Sequence, residues 1–169
     1  MRSITIRLVL LAMLSTRLGA QSPTDHLHET HVGHPSADSS FDAMQRRGRA
    51  AMGVDQYTSI HQFEDLADGG RIVLQRDRDD SAGTATIRAH MREIARAFSS
   101  GDFTTPATVH LKTVPGAGTM RARRRSIRYE PLDLPRGGAL RITTTDPAAI
   151  AAIHDFLAFQ RGEHRVPAK

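Results

Sequence analysis

The chain predicts an α+β domain: a mostly antiparallel sheet of about five strands, with two main helices on one face and a short N-terminal helix. Three observations carry this. Tyr57 to Arg76 and Ser126 to Thr145 each read as two strands around a Gly-Gly pair, Gly69-Gly70 and Gly137-Gly138. Each is followed by a segment whose apolar residues recur at helical spacing, wide enough to cover a sheet. The order strand, glycine turn, strand, helix therefore occurs twice and reads as a ββα pseudo-repeat.

Residues 1–20 read as a signal peptide. Arg2 and Arg7 give a positive start, Leu8 to Leu14 is a short apolar run, and Ala20 suits cleavage. The run is far shorter than the ~20 residues of a membrane span, so the mature chain is expected without one, in the periplasm or secreted. Residues 21–40 have the polar composition of a disordered leader. His26, His28, His31 and His34 crowd into it beside Asp25 and Glu29, a spacing that lets a flexible chain wrap copper, zinc or nickel.

Residues 41–165 form the expected single α+β domain, with 166–169 as a tail and fraying from Glu163 onward. A helix from Phe41 to Met52 places Phe41, Met44, Gly48 and Met52 near one face and stops at Gly53. Its methionines read as core filler rather than soft ligands. The first hairpin leads into Asp77, Asp79 and Asp80, a solvated loop without the framework of a calcium loop. A helix from Thr84 to Phe98 buries Ile87, Met91, Ile94, Ala95 and Phe98, and carries an Arg88, Arg92, Arg96 stripe on an adjacent face. Val109 and Leu111 alternate with His110 and Lys112, which suggests a fifth strand, and Pro115 to Gly118 reads as a simple turn. Asp146 and Pro147 open the last helix as a cap followed by a fixed φ.

The absence of cysteine excludes disulfides, thiolate metal sites and cysteine nucleophiles together. Removing the signal's three arginines lowers the net charge from +5 to +2, so no global polyanion-binding role follows. Arg121, Arg123, Arg124, Arg125 and Arg128 nevertheless form a local candidate for an anionic surface or an acidic envelope partner. Nucleic acid is not the expected partner, because only Tyr129 offers a ring for stacking beside that cluster. His90 and His154 lie at the edges of the two main apolar helix faces, where they could meet His61 or His110 at a metal, with His164 a further candidate. Nucleophile elbow, His-Glu-x-x-His and Ser-x-x-Lys patterns are missing, so a histidine–carboxylate hydrolase is only an alternative. The leading expectation is an exported binding or accessory protein that takes a transition metal through histidine, with the arginine-cluster interaction module second.

Met52-Gly53-Val54-Asp55-Gln56 with His61 and Phe63, Asp68-Gly69-Gly70, Ile87-Arg88-Ala89-His90 and Ala152 to Gln160 with His164 form a further set. Through them the chain from Phe41 onward resembles a family of small exported bacterial proteins with no established activity. The resemblance implies export and one domain, and supplies no mechanism.

Overall fold

A computed structural model describes residues 37–166. The leader histidines His26, His28, His31 and His34 lie outside the described residues. Nine regular elements follow in order among those described: α1 (Ala37–Met52), β1 (Ser59–Leu66), β2 (Gly69–Arg76), α2 (Ser81–Ser100), α3 (Thr104–His110), α4 (Ala117–Ala122), β3 (Arg128–Leu134), β4 (Gly137–Thr143) and α5 (Pro147–Glu163). The strands form one antiparallel sheet in the order β1-β2-β4-β3. The fold class is α+β, with four described strands rather than five.

The caps explain where the two long helices begin. Asp80 accepts from the Gly83 amide at 2.9 Å to start α2 and also pairs with Arg76, so one member of the supposed aspartate loop is a helix cap. Asp146 accepts from the Ala148 amide at 3.0 Å ahead of Pro147 and starts α5. Both helices press onto the same sheet face. Gly70 of β2 meets Leu157 and Ile153 of α5, and Gly138 of β4 meets Met91 of α2. Each helix packs mainly on the hairpin that did not precede it, α2 on β3 and β4, α5 on β1 and β2. Phe98, Phe103, Phe156 and Tyr129 form an aromatic cluster beneath, with the Phe98 and Phe103 rings stacked at 4.5 Å.

Two expectations are corrected in the segment between the hairpins. Val109 and His110 end helix α3, whose inner side buries Pro106 and Val109, three residues apart as a helix requires. Four residues of alternation are too few to separate a strand from a short helix, and Leu111 in the left-handed region (φ 51°) then ends the turn. The Pro115 to Gly118 stretch runs into α4, whose first two residues are Ala117 and Gly118 and which buries Met120 completely.

The glycine pairs also sit differently from expectation. They are the first residues of β2 and β4, while Ala67-Asp68 and Pro135-Arg136 make the turns. The reason is contact between the two central strands. A Cβ on Gly69 would fall on the Ile142 carbonyl, and one on Gly137 would fall on the Leu74 carbonyl. Gly69 additionally holds φ at +137°, which side chains rarely adopt. Gly69→Ala is expected to cost about 2–3 kcal/mol in urea unfolding, whereas Gly118→Ala, with open space around it in α4, should stabilise by about 0.5–1 kcal/mol. Equal effects at both positions would show that the β2–β4 approach is not what requires glycine.

Candidate functional site: a histidine-lined cavity

Four elements far apart in sequence converge on one cavity of about 80 Å³. His61 comes from β1, His90 from α2, His110 from the end of α3, and His164 from just beyond α5. Alternation along β1 buries Ser59, His61 and Phe63 on the inward face, so His61 occupies a core position of the sheet. Ile72, Leu74, Ile94, Phe98 and Phe156 make the rest of the lining largely apolar, with Met52 and Met91 among it.

The rings are close to one another. His61 and His164 lie near-parallel with centroids 5.4 Å apart, and His110 meets His164 edge-on at 5.3 Å. Their polar atoms are unequally engaged. Nδ1 of His164 donates to Oε1 of Gln56 at 2.8 Å, and that oxygen also accepts from Gln45 at 2.7 Å. Gln56 returns a bond of 2.7 Å to the His164 carbonyl, which fixes the residue at both ends. Nε2 of His110 donates to Oε1 of Gln160 at 3.0 Å, and its Nδ1 lies 3.7 Å from a Glu163 oxygen. Both ring nitrogens of His61, and Nδ1 of His90 and of His110, are buried without a hydrogen-bond partner among the described residues. Buried polar atoms of this kind are uncommon, and four of them around one cavity call for water or a ligand.

Burial dominates the electrostatics. It pushes the His61 pKa down to about 4, opposed only in part by the Ser59 backbone and the charge of Asp55. It pushes His164 to about 3, with His61 and His110 adding to the effect. His90 and His110 are lowered for the same first reason. At neutral pH the cavity therefore presents neutral imidazoles, each with a lone pair available for a metal or a donor. The described residues contain no ready-made group of three histidine or carboxylate ligands around one point.

His154 is placed elsewhere. Its Nε2 lies 3.0 Å from both the Leu66 and Gly69 carbonyls, so that nitrogen carries the proton and donates. Those carbonyls flank the β1–β2 turn, five residues along β1 from His61, or roughly 16 Å at the rise of a strand. The structure thus brings His90 to His61 and leaves His154 at the opposite end of the hairpin. Arg88 plays the matching part at the second turn, donating to Leu134 and Gly137 carbonyls at 2.6 and 3.1 Å. Arg92 reaches Asp133, so the α2 stripe mainly fastens that hairpin.

The arginine cluster is exposed. Arg121 donates to the Gly101 carbonyl, Arg123 pairs with Asp146, and Arg124 reaches the Arg121 carbonyl. Arg125 and Arg128 make no ion pair or hydrogen bond among the described residues. Three of the five candidate anion ligands are therefore held in the fold, and Asp146 places a negative charge within the same surface.

The sequence after Glu163 predicts a frayed end, yet His164 is 4% exposed at the centre of the cluster. Gln45, Gln56 and Gln160 were also unrecognised as the groups that orient the histidines. The available signal was Gln160 inside an otherwise apolar helix face, a buried polar residue that needs a partner. No protein family matches the chain, and neither does any curated protein or solved structure.

Because His61 and His164 are neutral in the fold and bind protons near pH 6.5 when unfolded, their contribution is complete above that pH. It is lost as pH falls toward their folded values. Urea unfolding between pH 7 and pH 4.5 should show a loss of about 5 kcal/mol attributable to these two histidines. His61→Phe, which keeps a ring beside Phe63, should reduce that pH dependence; an unchanged slope would mean that His61 is not buried in neutral form.

Proposed function

We propose that the protein is an exported, non-catalytic binding protein that holds a transition metal ion in this cavity. The metal meets His61, His110 and His164, with His90 beside them. The observation that carries the reading is the set of unpartnered ring nitrogens lining one buried space. Two further features support it. Two imidazoles bound tetrahedrally to one ion have centroids roughly 5 Å apart, from metal–nitrogen bonds of about 2.0–2.1 Å, and the ring pairs here lie at 5.4 and 5.3 Å. His110 and His164 each give one ring nitrogen to a glutamine oxygen, the outer support that orients metal-binding imidazoles. Because His61 and His164 are near-parallel, loading requires His61 to turn about its side-chain bonds. The His-rich leader belongs to the same reading as a second, weaker metal-binding segment. The ββα duplication is also proposed, supported by Gly69 and Gly137 occupying matching positions in their hairpins.

A hydrolytic reading finds less support, since Nε2 of His110 is taken by Gln160 and no serine or threonine hydroxyl accompanies His61 in a hydrogen bond. The arginine surface is a separate reading with no enclosed site behind it.

The test is metal retention by the untagged full chain carrying alanine at His26, His28, His31 and His34. After exposure to copper, zinc or nickel and dialysis, one equivalent should remain. His61→Phe and His164→Gln should each lower affinity by about 100-fold or more, while His154→Gln should not. Metal retained equally by all three variants, or by none including the parent, would overturn the reading.

A further inference from the structure

The cavity's donor set points to one kind of ion. Resting on the metal-site reading above, we propose that the site selects copper in its monovalent state, with the thioethers of Met52 and Met91 joining the imidazoles as ligands.

Three observations carry this. First, both methionines line the same cavity as the histidines, and they reach it from different walls. Met52 comes from the last turn of α1, its methyl beside Gly48. Met91 is 2% exposed on α2, its chain beneath Gly138. Gly138 pairs with Leu74, and Leu74 pairs with His61, so Met91 faces the cavity from the far end of the row that starts at His61, roughly 10 Å away at two interstrand spacings. Second, the lining holds no carboxylate: its polar members are imidazoles, Thr105 and Gln160. Glu163 approaches only His110, at 3.7 Å. The cost of bringing an ion into an apolar space rises with the square of its charge, so a divalent ion without an anionic ligand costs about four times a monovalent one. Third, soft thioether donors favour Cu(I), whereas zinc and nickel gain little from them. The chain has no cysteine to supply a thiolate in their place.

Neutral imidazole and thioether also tolerate an apolar surround without titrating, so loading asks for the turn of His61 and no change of charge in the lining. Oxidation to Cu(II) would add charge and shift preference to harder, more regular donor sets that the lining does not offer.

The experiment is an anaerobic competition with ascorbate-reduced copper against bicinchoninate, run beside a zinc titration against a chromogenic chelator. It uses the untagged full chain with the four leader histidines replaced by alanine. The expected result is one Cu(I) per chain. Met52→Leu and Met91→Leu, which keep volume and remove sulfur, should each weaken Cu(I) about tenfold or more and leave zinc affinity unchanged. Urea midpoints of the two variants should match the parent, which separates lost ligation from lost folding. If both metals weaken together, or neither does, the methionines are packing groups and the copper selectivity falls while the histidine site stands. If the parent binds neither ion, the cavity is hydrated only, and both readings fall.

Discussion

The close approach of β2 and β4 is the constraint on which the arrangement depends. These central strands meet through glycines whose missing side chains let one strand's backbone lie against the other's carbonyls. The pairing sets Gly69 opposite Thr143 and Gly137 opposite Gln75, so both hairpins are fixed to each other by the same contact made twice. Once that register is set, the inward rows follow from the two-residue period of the strands. His61, Leu74 and Gly138 fall on one such row, which places an imidazole at one end and leaves room for Met91 at the other. A slip of one residue between β1 and β2 would turn His61 to the other face of the sheet, away from the cavity.

Basic side chains then fasten the helices onto this frame by hydrogen bonds to backbone carbonyls. His154 and Arg88 bind the carbonyls at the two turns, and Arg161 of α5 donates to the Phe63 carbonyl and pairs with Asp65 on edge strand β1. Such bonds bring a side-chain donor to carbonyls at the turns and on the edge strand. They also account for much of the arginine that composition alone would assign to an external partner. A guanidinium that already holds a turn or an aspartate is a poor candidate for a second task, and Arg88, Arg92, Arg123 and Arg161 are all of this kind.

Much of the frame was legible in the chain because it is local. Alternation, glycine pairs, the Asp146-Pro147 start and the apolar stripe of α2 each act over a few residues, and the hairpins and long helices follow from them. The site was legible only in part. Nine histidines with no cysteine marked imidazole as the chemistry, but the choice among them depends on contacts between residues 50 to 108 positions apart, such as His110 with Gln160 and His164 with Gln56. No periodicity reports such pairs. His164 was hidden for a related reason: its neighbours Gly162 and Arg165 look like a helix end, yet Gln56 holds its carbonyl and its ring and keeps the chain on the domain past α5. Helix α3 escaped detection because its seven residues give a periodic pattern too little length to declare itself.

What distinguishes the cavity histidines from His154 is therefore the work their nitrogens already do. His154 sits between two carbonyls, so its proton is fixed and its ring is a structural donor. His61 is as buried as many core side chains but has neither nitrogen bonded, and nothing in the packing of β1 requires a polar ring there. An apolar residue such as phenylalanine would pack beside Phe63 and His164 without the desolvation that drives the imidazole pKa so far down. Folding alone gives little reason to keep imidazole at that position, since its buried ring nitrogens lower stability and its ring contacts are ones phenylalanine could make. A ligand that takes up those nitrogens would convert the same penalty into binding free energy, and that is the physical argument behind the proposed site.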